Sequence, residues 1–240
     1  MNLLTSALTL VAYAVGFQTL VYLLLPWRAR ATWAPLVTGS MGAAVVVISA
    51  LWAGPAAVGL AAPSGGMLAA WGSGTVIAMT VVGLTMLSTD SLRGHLADPR
   101  IGSLSNGQAA TQIFIRIPIM TALIEEAVFR GVLHGALIAL YPAPIALWGG
   151  AVLFGLWHVG PGLDQAKASD RRSLAGLTHV LVTVIATTIG GAGLVWLRMQ
   201  TGSIWVPVVV HAGLNMTMAI FARLATRRAD SRLEPIAQTL

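Results

Sequence analysis

The chain of 240 residues contains no cysteine. This excludes disulfides, thiolate metal ligands and a cysteine nucleophile, leaving chemistry to oxygen and nitrogen groups. Charge is nearly as scarce: 9% of residues are Asp, Glu, Lys or Arg, against about 25% in an ordinary soluble domain. So few charges cannot cover a water-facing surface. Strands of alternating polarity are missing as well, and the apolar runs are too long for barrel strands of about ten residues. No long polar linker and no internal repeat divides the chain. The first apolar run, residues 3–25, does not read as a secretory leader, because it is too long and Arg28 and Arg30 follow it instead of preceding it. It reads as a retained first span.

What the chain does have is apolar sequence in blocks, with 56% of residues hydrophobic. A bilayer core about 30 Å thick takes roughly 20 residues of helix. Spans are expected at residues 3–25, 35–53, 67–87, 113–140, 144–159, 174–197 and 204–222. The predicted fold is all-α, a polytopic membrane helix bundle with about seven transmembrane helices. It forms one integral membrane domain over residues 1–240: three N-terminal spans in 1–110, a motif-bearing core in 111–222 and a basic tail in 223–240. Small residues such as Gly39, Gly42, Ala43 and Ala44 allow neighbouring helices to approach closely.

The formal net charge of +6 does not indicate nucleic acid, because the basic residues lie in short clusters between apolar blocks, without interleaved aromatics. Arg28 and Arg30 follow the first span, Arg93 and Arg100 the third, Lys167, Arg171 and Arg172 the fifth, and Arg223, Arg227, Arg228 and Arg232 the last. The connections after spans two and four carry no charge, and the one after span six carries Arg198 alone. The positive-inside rule then predicts an outside N-terminus and a cytoplasmic C-terminus, in the cell membrane.

Ionisable groups inside apolar spans are costly, at about 2.5–3.5 kcal/mol for a central Asp, Lys or Arg, and must face one another or a wet cavity. The fourth span holds Glu125, Glu126 and Arg130. Glu126 and Arg130 are four residues apart and can pair on one helix face, whereas Glu125 is turned about 100° away and is free for another task. The fifth span ends in Phe154-Gly155-Leu156-Trp157-His158, and the last carries His211 and Asn215 one turn apart. A lone histidine is more often a satisfied helix-end residue, and an Asn–His pair also glues helices together. His134 and His179 fit interface or packing roles, and His95 lies in a charged loop. Together, however, one carboxylate, two imidazoles, an amide and an arginine suffice for hydrolysis. A buried glutamate can serve as base towards water and as acid towards a leaving amine, and His or Asn can stabilise an oxyanion. Two histidines and a glutamate are also a catalytic zinc set.

The signatures of other proteases are absent: no His-Glu-x-x-His helix, no Gly-x-Ser-x-Gly or Gly-x-Ser-Gly, and no Gly-x-Gly-Asp. The ordered trio Glu125-Glu126-x-x-x-Arg130, Phe154-x-x-x-His158 and His211-x-x-x-Asn215 resembles the CAAX prenyl protease and bacteriocin-processing family of intramembrane proteases, also called the abortive-infection family. The stretch from Thr201 to Pro207 is family-like as well, and the resemblance runs from about Ile113 to Ala222. It implies endopeptidase action within the membrane on membrane-associated or lipidated protein or peptide substrates. Glu125 and His158 would activate water, His211 and Asn215 would form the oxyanion site, and Glu126, Arg130 and Phe154 would support them. The set Glu125, His158 and His211 satisfies both a zinc mechanism and a metal-free glutamate mechanism. The competing readings are a proton-coupled transporter and a non-catalytic membrane adaptor or immunity protein, each using the same polar groups without hydrolysis.

Overall fold

The computed structural model describes residues 27–168 and 174–237, with side chains over 39–167 and 174–229. Helix accounts for 88% of the structure, and there is no strand among the described residues. The long helices are α1 (Trp27–Ala53) and α2 (Gly65–Ser88), followed by short α3 (Asp90–Leu96) and α4 (Pro99–Gly102). A composite rod comes next: α5 (Asn106–Thr111), the wide π-helical π1 (Gln112–Leu123), α6 (Ile124–Glu126), π2 (Ala127–Leu133) and α7 (His134–Leu140). The chain closes with α8 (Ala143–Trp157), α9 (Val159–Ala168), α10 (Leu174–Thr201) and α11 (Trp205–Ala237).

Among the described residues, four helical stretches are long and apolar enough to cross a membrane: Gly65–Ser88, Ala143–Lys167, Leu174–Thr201 and Trp205–Ala229. The second expected span is apolar over Gly39–Ala53 but shorter, and the first, residues 3–25, lies outside the described residues. The fourth is the composite rod, in which regular helix is interrupted and Arg116, Glu125, Glu126 and Arg130 dilute the apolar surface. Large apolar side chains face outwards, among them Ile77 (65% exposed), Leu177 (66%) and Ile189 (64%). Each would forfeit about 1.5–3 kcal/mol of burial in water but nothing in lipid. This is an integral membrane protein.

Local sequence explains the helix ends. Pro161 has no N–H to donate to Trp157 four residues back, and it biases the residue before it away from helix; α8 accordingly stops at Trp157, with His158 at the junction (φ −86°, ψ 0°) before α9 begins. Gly202 ends α10 in the left-handed region, at φ +66°, donating its N–H to Arg198 O at 3.0 Å. Ser203 Oγ then accepts the Trp205 N–H at 3.2 Å and starts α11. Pro118 lies within π1. Its missing N–H removes a rung from the ladder, and wide i→i+5 turns are one way to accommodate this, often near functional sites.

The bundle has two distinct polar ends. At one, the turn after α1 is tied to the start of α11: Ile204 N donates to Gly59 O at 2.9 Å, Ser203 Oγ to Ala61 O at 2.7 Å and Trp205 Nε1 to Leu60 O at 3.2 Å. The same turn presses on the composite rod, where a Cβ on Gly131 or Gly135 would stand 2.9 Å from Val58 O or 2.7 Å from Ala57 O. At the other end α4 lies against the far part of α11, through Asp98 N to Thr226 Oγ1 at 3.1 Å and Arg223 Nη1 to Ile101 O at 2.8 Å, and α9 reaches α4 as well. Arg93, Arg100, Lys167, Arg223 and Arg227 thus lie towards the second end, consistent with the alternation of charged and uncharged connections. Between the ends, Val128, Phe129, Leu133 and Leu137 of the rod pack with Ala146 and Phe154 of α8.

Candidate active site

The single turn α6 carries Glu125 and Glu126, and their divergence sends them to different partners. Glu126 and Arg130 are both fully buried (0% exposed), and Arg130 Nη1 donates to Glu126 Oε1 at 2.9 Å, the pairing expected from their spacing. Arg130 Nη2 donates to Gly191 O at 3.3 Å, and the guanidinium lies over the Phe154 ring, 4.0 Å from its centroid. Gly191 is needed for this approach: a Cβ there would stand 3.0 Å from Phe154 Cδ1 and 3.4 Å from Arg130 Nη2. Ion pair, carbonyl contact and cation–π stacking together hold the arginine that Glu126 requires as a buried charge.

The same Glu126 oxygen meets His211 Nδ1 at 2.7 Å, bridging α6 and α11. A carboxylate only accepts, so the hydrogen-bond network assigns the proton of that contact to His211 Nδ1. The other ring nitrogen, Nε2, then points at Glu125 Oε2, 4.0 Å away. Glu125 Oε2 is buried and accepts no hydrogen bond from the described residues, while Oε1 receives the Trp157 indole N–H at 3.4 Å. The 4.0 Å separation is too long for a direct hydrogen bond, and a contact of this length invites one small bridging group.

His158 sits at the junction of α8 and α9, donating Nδ1–H to Phe154 O at 2.8 Å, which leaves Nε2 as an acceptor in the neutral ring. Phe154 meets both imidazoles edge-on, with centroids 4.7 Å from His158 and 6.0 Å from His211. The structure therefore joins Glu125, Glu126, Arg130, Phe154 and His211 by direct contact, and His158 through Phe154. Asn215 follows one turn after His211, half-buried, and makes no hydrogen bond among the described residues. His134 is buried (4% exposed), next to Gly135, which meets the turn after α1.

Among the described residues no three His, Asp or Glu side chains converge closely enough to hold an ion. The Nδ1 atoms of both histidines are engaged, with Glu126 and with Phe154 O, which leaves the Nε2 atoms as the nitrogens that could meet a water or an ion. As arranged here, Glu125, His158 and His211 are not gathered into a three-ligand set. What the arrangement offers is a carboxylate oxygen without a donor, opposite an imidazole nitrogen whose ring is locked by a second carboxylate.

Three contributing residues were not assigned from the sequence. Trp157 lies inside a quoted motif segment, yet nothing in the spacing signals that its indole reaches Glu125. Gly191 gives no sequence signal, since its role depends on the distance between α10 and α8. Arg198 did leave one: it is the single charge in an otherwise uncharged connection. Its Nε donates to Arg130 O at 3.3 Å, and its guanidinium lies against Gly59, so it ties the rod to α10 beneath the turn after α1.

No curated protein and no solved structure matches the chain. Residues 107–217 match the family model described as type II CAAX prenyl endopeptidase Rce1-like, close to the stretch from Ile113 to Ala222 expected from the motifs. That segment holds every residue of the buried cluster, from Glu125 and Glu126 on the rod to His211 and Asn215 on α11. Over that segment, a little under half of its length, the chain is similar to the Rce1-like family of type II CAAX prenyl endopeptidases.

Proposed function

We propose that the protein is an endopeptidase that hydrolyses a peptide bond of a membrane-associated or lipidated substrate, with water activated by Glu125. The observation that carries this reading is Glu125 Oε2, buried without a donor and facing His211 Nε2 across 4.0 Å. Glu125 takes a proton from water as the water oxygen attacks the scissile carbonyl carbon. The same proton then passes to the leaving nitrogen as the C–N bond breaks, giving a carboxylic acid and an amine. His158 accepts a hydrogen bond from the water through Nε2. His211 donates to the oxyanion from Nε2 in its doubly protonated form, since its Nδ1–H is committed to Glu126, and the Asn215 amide is the second donor. Glu126 and Arg130 hold His211 in place and act through it.

The test is cleavage of a fluorogenic membrane-spanning or lipidated peptide by the purified protein in nanodiscs. Release of two peptides with a new amine end supports hydrolysis. An intact peptide alongside proton flux across vesicles would overturn it in favour of a transporter, and inactivity in both assays would favour an adaptor. Trp157→Phe checks the positioning of the base, because phenylalanine keeps the edge-on packing against Phe129 (5.5 Å between centroids) and removes only the indole donor. A hydrogen bond to a charged group contributes roughly 1.5–3 kcal/mol. At 3.4 Å the lower end applies, so kcat is expected to fall about tenfold with KM unchanged. An unchanged kcat would remove Trp157 from the site.

We further propose that the arginine-rich end faces the cytoplasm, with the C-terminus inside and the N-terminus outside, in the cell membrane. The cysteine-free sequence makes the check direct. In otherwise unaltered protein, Ala62→Cys should label with an impermeant maleimide from outside whole cells, and Lys167→Cys only after permeabilisation. Labelling of both from one side would overturn the arrangement.

A further inference from the structure

Far from the acidic cluster, at the arginine-rich end, two guanidiniums converge on a single neutral oxygen. Arg223 Nη2 donates to Asn106 Oδ1 at 3.1 Å and Arg227 Nη2 donates to the same atom at 2.9 Å. Arg223 is also fixed by its 2.8 Å bond to Ile101 O, and the segment that presents Asn106 is held firmly against α11. Asp98 N binds Thr226 Oγ1 at 3.1 Å, and Gly102 packs so tightly on Thr226 that a Cβ would collide with it. The neighbouring arginines are neutralised: Arg93 pairs with Asp90 at 2.7 Å and Arg100 with Asp98 at 2.7 Å. Neither Arg223 nor Arg227 pairs with a carboxylate of the described residues. Among the described residues, two like charges are thus held together by an amide carbonyl that cancels neither. Arg227 is exposed, and each guanidinium keeps further N–H donors beyond those used.

The surface beside the pair is apolar. Ile220 (38% exposed) and Leu224 (42%) lie on the adjoining face of α11, leading away from the arginines towards the middle of the helix. A ligand with a negative head and a long apolar body matches both features. A soluble anion would use only the first. We infer that Arg223, Arg227 and Asn106 at the start of α5 bind the phosphate of an anionic membrane lipid, with its acyl chains along Ile220 and Leu224. The phosphate supplies a counter-charge and accepts charge-assisted hydrogen bonds from both arginines. The lipid thereby clamps the α4–α5 segment onto α11, the helix that carries His211.

Native mass spectrometry of the intact purified protein, titrated with phosphatidylglycerol or phosphatidylcholine, tests this. Two substitutions are used. Asn106→Asp keeps the acceptor and adds an internal negative charge between the guanidiniums. Arg227→Gln removes the exposed cation while leaving the buried Arg223 in place. Phosphatidylglycerol should be retained on the wild type in preference to phosphatidylcholine, and about tenfold more weakly on each variant, the loss of one charge-assisted contact. Thermal unfolding should follow, with phosphatidylglycerol raising the wild-type Tm and not that of Asn106→Asp. Asn106→Asp retains both hydrogen bonds, so it decides the question alone if Arg227→Gln proves unstable. Equal retention of phosphatidylglycerol by wild type and Asn106→Asp would overturn the site. Displacement of the bound lipid by inorganic phosphate at the same concentration would also overturn it, in favour of a soluble anion.

Discussion

Glu125→Gln is expected to lower kcat for peptide cleavage by about 10²–10⁴, the usual cost of losing a general base, while the protein remains folded and monodisperse. Glutamine has nearly the shape of glutamate, and its amide oxygen can still accept the Trp157 indole N–H that reaches Oε1 at 3.4 Å. Lost is the second carboxylate oxygen, the one with no donor of its own opposite His211 Nε2. An amide nitrogen in that position cannot take a proton from water. Because Glu125 is not the partner of Arg130, the substitution strands no buried charge, and substrate affinity should be nearly unchanged. Parallel measurement of kcat, KM and size-exclusion profile separates the cases. A folded variant cleaving at the wild-type rate would remove Glu125 as base and leave His211 Nε2, held by Glu126, as the next candidate.

The different fates of the two adjacent glutamates show how far the sequence carried. Their helical divergence and the Glu126–Arg130 spacing are local, so the pairing and the freedom of Glu125 were legible before any coordinates. That α6, α8 and α11 meet was legible too, for a different reason: each carried groups too costly to leave in lipid, and those groups had only one another to satisfy them. Which atom faces which was not legible. The Nδ1 of His211 turns to Glu126 because α11 passes the rod at one depth and one rotation, fixed by its packing on α2, where a Cβ on Gly213 would stand 3.5 Å from Thr75 and Val76 and the Phe221 ring lies against Gly83. That orientation restricts oxyanion donation from His211 to its doubly protonated form, a condition invisible in a His-x-x-x-Asn pattern. The break of α8 at His158 could have been read from Pro161, yet the span was expected to run through to Val159. The π-helical turns flanking α6 had no period to reveal them, since apolar residues stand on both sides of Pro118 with no change of spacing. Arg198 stood out as a charge on the wrong side, but its explanation is tertiary: it satisfies Arg130 O from another helix.

Arg130→Ala is expected to harm the fold itself, unlike Glu125→Gln. The guanidinium is completely buried, and it makes three kinds of contact at once: 2.9 Å to Glu126 Oε1, 3.3 Å to Gly191 O and 4.0 Å to the centre of the Phe154 ring. Removing it leaves the Glu126 carboxylate without its cation and Gly191 O without that donor. It also opens a cavity between the rod, α8 and α10. Breaking a buried pair by deleting one partner costs about 3–5 kcal/mol, because the remaining charge is uncompensated, a large part of the roughly 5–15 kcal/mol by which a protein domain is stable. Glu126 also positions His211, so the damage reaches α11 as well as the rod. The expected result is a markedly lower Tm in nanodiscs, poor recovery of monodisperse protein and no cleavage. Arg130→Lys restores the charge but neither the planar stacking on Phe154 nor the forked geometry that serves Glu126 and Gly191 together. It should recover part of the stability and little of the rate. The double variant Glu126→Gln/Arg130→Met separates charge from packing, since it removes the stranded carboxylate and fills much of the space. It should be more stable than Arg130→Ala and still inactive, because a neutral amide no longer holds His211 as the carboxylate does. If Arg130→Ala instead melts at the wild-type temperature and cleaves normally, the buried pair is not what organises this site.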